Sequence, residues 1–316
     1  MTTLGLNTLR LRQTVSVAPE RSGALQGTTL LIDVTCICYR SLFASIAERS
    51  TVEPDQIQAF VLERFFSTLR YLSELYRARR YVFCFDDGKA SLRREVYPSY
   101  KHARKERVKS DEEIHAIRET GKVIQMLRDG ALANIGFGNI CWQHGLEADD
   151  VMAMCASTFD HERLVMVSDD ADMFQCLRTH VAMYRPSRGK TYTLRDFLAD
   201  YDIEPAQWIR VKALAGCKSD NVEGIDGIGE KTAIAYIKGT MPQKGKRWDT
   251  LTSMEGARIL DRNWDLVCLP HAKTEPITYK PDKVDVDALM RLFDEYALKL
   301  LRDQGEEWNG LNTGNW

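Results

Sequence analysis

Residues 145–154 read Gly-Leu-Glu-Ala-Asp-Asp-Val-Met-Ala-Met. Three carboxylates, Glu147, Asp149 and Asp150, fall within four residues and directly precede an apolar run. The pattern predicts a helix over about 147–158 with all three acids in its first turn, Glu147 and Asp150 sharing a face. Acids complement the positive end of any helix, so this stretch alone decides little. Its weight comes from recurrence. Asp33 ends the run Leu30-Leu31-Ile32, Asp86 and Asp87 follow Tyr81-Val82-Phe83-Cys84-Phe85, and Asp169, Asp170 and Asp172 follow Leu164-Val165-Met166-Val167. These runs read as buried strands at 28–34, 80–85 and 163–168. In an open α/β sheet, sites form outside the carboxyl ends of the strands. Three strands ending in Asp, with an acidic helix start, predict one shared acidic pocket. Packed carboxylates raise one another's pKa and call for cations. An all-oxygen donor set suits Mg²⁺ or Mn²⁺.

Around this pattern the composition is ordinary. The 316 residues, 44% hydrophobic and 28% charged, allow one large domain or two modest ones with a real core. A net charge of −2 excludes a general polycation, so any nucleic-acid affinity must come from local basic patches. The eight cysteines form no CxxC pair and sit mostly in apolar runs, which predicts free buried thiols in a reducing cytoplasm. The six histidines show no metal-ligand spacing, and no apolar stretch is long enough to span a membrane. Residues 1–26 are weakly patterned and read as a flexible N-terminal arm.

Further along the chain, Pro54 is suited to open a helix that continues through Ile57, Val61, Phe65, Leu69, Leu72 and Tyr76 to about residue 78. Strand, helix, strand predicts a parallel pair joined by a crossover. Residues 88–109 then hold eight basic residues against Glu95 and Glu106, with Tyr97 and Tyr100 interleaved. A solvated charged loop has this composition; so does a segment that meets phosphates with cations and stacks rings on bases. Its place right after an acidic strand end favours the second. Ser110 opens a capping box with Glu113 and a helix to about Arg128. Residues 130–139 read as a glycine-rich loop, 140–142 as a short strand, 181–184 and 191–193 as a strand pair, and 194–201 as a helix. Pro205 starts a helix that Gly216 ends. Gly227 and Gly229 form a glycine hairpin that feeds a helix through Ala233, Ile234 and Ile237, with Lys231 in its first turn; glycines and a helix start favour a phosphate there. Residues 241–262 read as a polar linker and 285–302 as one helix. The tail after 303 carries no assignment.

The order of these pieces resembles the 5′-nuclease family of flap endonucleases and 5′→3′ exonucleases, including stand-alone phage and bacterial members and the 5′-nuclease domain of DNA polymerase I. The resemblance rests on Asp33 after a strand, FDDGKASLRREVYPSYKHAR at 85–104, GLEADD at 145–150, SDDADMFQ at 168–175 and GCKSDNVEGIDGIGEKTA at 216–233. It implies a PIN-like α/β fold: a mostly parallel sheet with helices on both faces, a helical arch at about 88–140, and a helical C-terminal region with a helix–three-turn–helix element at about 216–238. It divides the chain into the arm at 1–26, a nuclease domain at 27–204 and a DNA-binding region at 205–316. It implies two Mg²⁺ or Mn²⁺ positions held by Asp33, Asp86, Glu147, Asp149, Asp150, Asp170, Asp172 and Asp220. Asp170 and Asp172 are preferred over Asp169 from their alignment with the family motif. Lys101 and Arg104 resemble the basic pair that contacts the scissile phosphate. Arg93, Tyr100, Lys212, Gly227, Gly229 and Lys231 match DNA-binding positions, and the hairpin implies a K⁺ ion held by backbone carbonyls. The implied partner is DNA with a free 5′ end or 5′ flap, or an RNA–DNA hybrid. The chain is expected to act as a monomer with no membrane contact, in the host cytoplasm if phage-encoded.

One departure stands out. The family pattern Gly-Asp-x-x-Asp becomes Gly216-Cys217-Lys218-Ser219-Asp220, with a thiol where the first aspartate belongs. A thiol matches Mg²⁺ poorly. The expected reaction is hydrolysis of DNA to 5′-phosphate and 3′-hydroxyl ends. Two alternatives stay open: a DNA-structure-binding protein whose catalysis Cys217 has weakened, and a nuclease that removes RNA primers.

Overall fold

The computed structural model describes residues 27–47, 56–88, 90–102, 109–159 and 162–313. The N-terminal arm, Pro54 and Arg104 lie outside them. A six-stranded sheet runs in the order β3-β2-β1-β4-β5-β6. Its strands are β1 (Thr28–Asp33), β2 (Ala78–Cys84), β3 (Ile140–Cys141), β4 (Arg163–Val167), β5 (Val181–Arg185) and β6 (Lys190–Tyr192). All neighbours pair parallel except β5 with β6. Every residue of β1 is buried, as expected for a central strand covered on both faces. Side chains alternate along it. Leu30 and Ile32 enter one core with Phe65, Phe66 and Phe83, while Leu31 enters the other with Val82, Val151 and Met166.

The first core is covered by α1 (Val34–Ala47), α2 (Ile57–Tyr76) and α4 (Asp111–Met126). The second is covered by α6 (Ala148–Thr158) and α8 (Trp208–Ala215). Between them along the chain lie α3 (Ser91–Val96), α5 (Leu132–Ile135) and α7 (Leu194–Tyr201). Register decides where the acids go. Asp33 pairs with Cys84, and Ile32 with Val167. The strands therefore end level, and Asp33, Asp86 and Asp170 emerge at one edge of the sheet.

Three expectations are corrected, and one stretch left unassigned gains an element. Residues 34–47 form a helix that starts directly after Asp33, with Val34, Ile37, Cys38 and Leu42 turned inward. The loop expected at 130–139 is mostly helix. A π-type segment at Leu127–Ala131 carries the chain through a kink at Gly130 into α5, where Leu132 and Ile135 are buried. The polar linker at 241–262 contains α10 (Lys246–Leu251) and most of α11 (Met254–Val267). The inward face of α11 includes Gly256 and Asn263 beside Leu266 and Val267, so small and polar residues interrupt the apolar stripe that Ile259 and Leu260 continue. The single helix at 285–302 is two, α12 (Val286–Glu295) and α13 (Lys299–Arg302), broken where Ala297 takes φ 53°.

The C-terminal segment returns to the sheet domain. Asp282 accepts from the Tyr81 and Gly138 amides at 3.0 and 2.7 Å. Trp308 is fully buried and meets Phe293 and Phe66 edge-on, at 5.2 and 6.3 Å between ring centroids. The unassigned tail is thus part of the core. No helix among the described residues is long and apolar enough to cross a membrane.

Candidate metal centre

The loop before α6 fixes the first acids. Gly145 has φ 75°, and a Cβ there would lie 2.6 Å from Ser91 Oγ, so only glycine fits without shifting α3. Its amide donates to Asp87 Oδ2 at 2.8 Å. Asp87 therefore organises the loop, while the Ala148 amide holds Asp86 Oδ1 at 2.9 Å. The Cys36 amide and the Ser168 hydroxyl donate to Asp33 at 2.8 and 3.3 Å. Asp170 caps a short 3-10 turn by accepting from the Asp172 amide at 2.8 Å. Asp169 faces away, accepting from the Ser187 amide with Arg40 beside it at 3.7 Å.

The proximity and burial of these carboxylates disfavour the ionised forms. Burial and then Asp86 push Asp33 up to about 8. Burial raises Asp86, with Glu147 adding to it. Burial, Asp170 and Asp33 together hold Asp149 well above the usual carboxylate range. Burial and Asp170 raise Asp172 to about 7. Asp149 Oδ1 is shielded from solvent and has no hydrogen-bond partner, an orphaned acceptor of the kind a cation satisfies. On the other side, one ligand atom each from Asp172, Cys217 and Asp220 lie within 4.8 Å of one another. The donor set fits divalent metal.

Asp150 is turned elsewhere. It is fully buried, and both oxygens accept from Arg93, at 2.6 and 2.8 Å. The Glu147 and His271 amides also donate to it, at 3.1 and 2.8 Å. Glu147 is the N-cap of α6 and lies outside the helix. Arg93, expected on DNA, is 2% exposed and also donates to the Leu266 carbonyl at 2.9 Å. Tyr100 is buried with its hydroxyl donating to Glu147 at 2.8 Å. Lys212 is buried with its ammonium 3.1 Å from Asp172. All three side chains turn inward for one reason: buried cations and phenols need partners, and the acid cluster supplies them. Arg93→Lys keeps the charge but loses the planar fork. It should cost roughly 2 kcal/mol of stability, read as a lower urea midpoint at unchanged slope.

Lys101 occupies the gap between the two groups of acids. It takes φ 56°, and its amide donates to the Asp220 carbonyl at 2.7 Å. Its ammonium pairs with Glu147 and lies 3.7 Å from Asp220. Burial works against its charge, but these two carboxylates more than offset that and raise its pKa. Asp220 ends a turn held by two short strands, β7 (Gly216–Cys217) and β8 (Val222–Glu223). Gly216 has φ 78°, and a Cβ there would lie 2.4 Å from the Gly224 amide. Beyond it Ile225 and Ile228 are buried, whereas Gly227, Gly229 and Lys231 are exposed at the start of α9 (Glu230–Ile237).

The raised carboxylates have a consequence for stability. Asp33 and Asp172 keep protons in the folded, metal-free chain at pH values where the unfolded chain, near 3.8, has lost them. Their contribution is complete below the unfolded value and is lost progressively as pH rises from there through about 7 to 8. The metal-free protein should lose up to about 1.4 kcal/mol per pH unit for each such proton across this range. Thermal melts in chelator should show that slope, and saturating Mg²⁺ should flatten it.

Comparison with known proteins gives the family. Residues 28–202 match the family described as 5′-3′ exonuclease, N-terminal resolvase-like domain. The chain belongs to that family. A 5′-3′ exonuclease of Bacillus subtilis is 29% identical over 215 residues, covering 66% of this chain and 69% of that protein. The thermostable DNA polymerase I of Thermus thermophilus is 33% identical over 218 residues, 67% of this chain but only 24% of the polymerase. Among solved structures, the bacteriophage T5 D15 flap endonuclease, in a complex with DNA and metal ions, superposes with a TM-score of 0.65 at 22% identity, covering 88% of this chain and 99% of that one. At that identity the likeness establishes the fold.

Proposed function

We propose that the protein is a divalent-metal-dependent 5′-nuclease that hydrolyses DNA phosphodiester bonds at a free 5′ end or a 5′ flap, leaving 5′-phosphate and 3′-hydroxyl ends. The observation that carries this is Lys101, lodged between carboxylates at the ends of level strands in a chain of the 5′-3′ exonuclease family. One metal position is assigned to Asp33, Asp86, Glu147 and Asp149, and a second to Asp170, Asp172 and Asp220 with Cys217. Asp150 supports the first from behind through Arg93. Bound Mg²⁺ or Mn²⁺ supplies Lewis acidity at the phosphate and lowers the pKa of water. Lys101 exchanges its contact with Glu147 for the scissile phosphate and neutralises charge that develops there. Arg104 is its companion by family resemblance.

The finer architecture belongs to the same reading. Residues 27–204 form the PIN-like nuclease unit, with an arch over about 88–140 that admits single-stranded DNA. Residues 205–316 form the DNA-binding region. Its helix–three-turn–helix element at 216–238 grips the duplex backbone without reading sequence, through Lys231 and the amides at Gly227 and Gly229. A K⁺ ion on backbone carbonyls there would serve the same contact. The protein acts as a cytoplasmic monomer, and an RNA–DNA hybrid is a second substrate.

The test is a panel of 5′-labelled flap, nicked and RNA-primed duplexes with Mg²⁺ or Mn²⁺. Cleavage near the junction is expected, and a bulky block on the 5′ end should suppress it. Equal cutting of closed circular single-stranded DNA would remove the dependence on a 5′ end and with it the proposal.

A further inference from the structure

We infer that Cys217 makes the second metal position a mixed sulfur–oxygen site that takes a borderline-soft transition ion of the zinc type in preference to Mg²⁺, so that the loaded centre is heterometallic. The inference rests on the two-position reading above. Its ground is the placement of the thiol beside two aspartates. Cys217 is buried, and its sulfur lies within the 4.8 Å group formed with one carboxylate oxygen each of Asp172 and Asp220. Both aspartates are themselves buried. The thiol therefore stands inside the ligand set.

Local structure fixes it there. Cys217 pairs with Val222 in the β7–β8 ladder, which holds its backbone against the neighbouring strand. Its sulfur is 3.0 Å from Ser219 Oγ, which orients it within the turn that carries Asp220. Asp172 is placed independently, by the turn that Asp170 caps. Two rigid elements thus present one sulfur and two carboxylates to a common point. Lys212 at Asp172 Oδ1 and Lys101 near Asp220 offset the negative charge that two carboxylates and a thiolate would gather.

Donor chemistry sets the preference. Mg²⁺ demands hard oxygen donors in near-ideal octahedral geometry. Zinc-type ions accept thiolate with carboxylate in tetrahedral sites, and thiolate donors select for them. The first position has only oxygen donors, Asp33, Asp86, Glu147 and Asp149, and remains suited to Mg²⁺ or Mn²⁺. The two positions, sharing one pocket, therefore differ in softness. Binding at the second releases the thiol proton to the buffer.

Co²⁺ serves as the probe, because thiolate–cobalt ligation gives a charge-transfer absorption that carboxylate ligation lacks. The full chain, metal-stripped and reduced, is titrated with Co²⁺ in excess Mg²⁺, and bound cobalt is counted by equilibrium dialysis. The expected result is a band that saturates at one cobalt per chain despite the Mg²⁺. Cys217→Ser should abolish it and weaken that cobalt by at least about tenfold, whereas Cys36→Ser should keep it. Protection of Cys217 from alkylation by Co²⁺, mapped by mass spectrometry on the wild-type chain, gives the same answer if a variant misfolds. Bound cobalt without the band, or a band that persists in folded Cys217→Ser, overturns the inference. Cleavage is scored separately: a cobalt band in a chain that cuts no DNA sinks the nuclease reading and spares this one, and Mg²⁺-driven cleavage without the band does the reverse.

Discussion

Asp149→Asn should lower single-turnover cleavage by about 10³-fold or more while leaving duplex binding within a small factor of wild type. Asp149 sits in the first turn of α6, facing Asp33 and Asp170 from the helix side. It carries the buried oxygen without a hydrogen-bond partner. The substitution removes one charge with little change of volume, so the fold has no reason to move. Burial, Asp170 and Asp33 already disfavour the Asp149 anion in the metal-free chain, so the neutral amide should leave the metal-free variant about as stable as wild type. Binding is read by anisotropy with a chelator present, and rate by rapid quench at saturating DNA. A near-normal rate at equal metal would take Asp149 out of the centre.

Lys101→Ala should lower the single-turnover rate at saturating DNA by about 10²–10³-fold. Lys101 is held by its own amide on Asp220, and its ammonium is shared between Glu147 and Asp220. That places a fixed cation where the two groups of acids meet, and there a phosphate would collect charge. Lys231 makes the informative contrast. It is exposed at the start of α9, remote from the acids in its chemistry, and its loss should weaken duplex binding with a shallower salt dependence. If Lys101→Ala changes only the dissociation constant, Lys101 is a binding residue and the division of labour is wrong.

Much of the sheet and the acid pattern was legible because both rest on short-range signals. A buried parallel strand carries a continuous apolar run, and β1, β2 and β4 hold such runs at 30–32, 81–84 and 164–167, each followed closely by aspartate. What escaped was long-range or carried by unusual residues. Arg93 and Tyr100 sit in a basic, aromatic stretch that reads as a nucleic-acid contact. Only the fold shows that Asp150 and Glu147, some fifty positions later, draw them inward. Asp150 was named a ligand from the family motif, and a motif does not give the Arg93 fork that both its oxygens accept from. Helix α11 was missed because glycine and asparagine stand on its inner face, where Asn263 donates to the Ala213 and Glu223 carbonyls at 2.9 and 2.8 Å. Helix α1 had a readable signal, with apolar residues at 34, 37, 38 and 42. The sequence reading assigned no element there.

The most direct measurement is single-turnover cleavage of a 5′-labelled flap duplex in Mg²⁺, in chelator, and by Asp149→Asn in Mg²⁺, with the product ends identified by mass. The account predicts rapid release of a 5′ fragment by the wild-type chain in Mg²⁺ alone, a 5′-phosphate on the remaining duplex, and almost no product in the other two reactions. Cleavage that survives chelation, or that proceeds at the wild-type rate in Asp149→Asn, would contradict it.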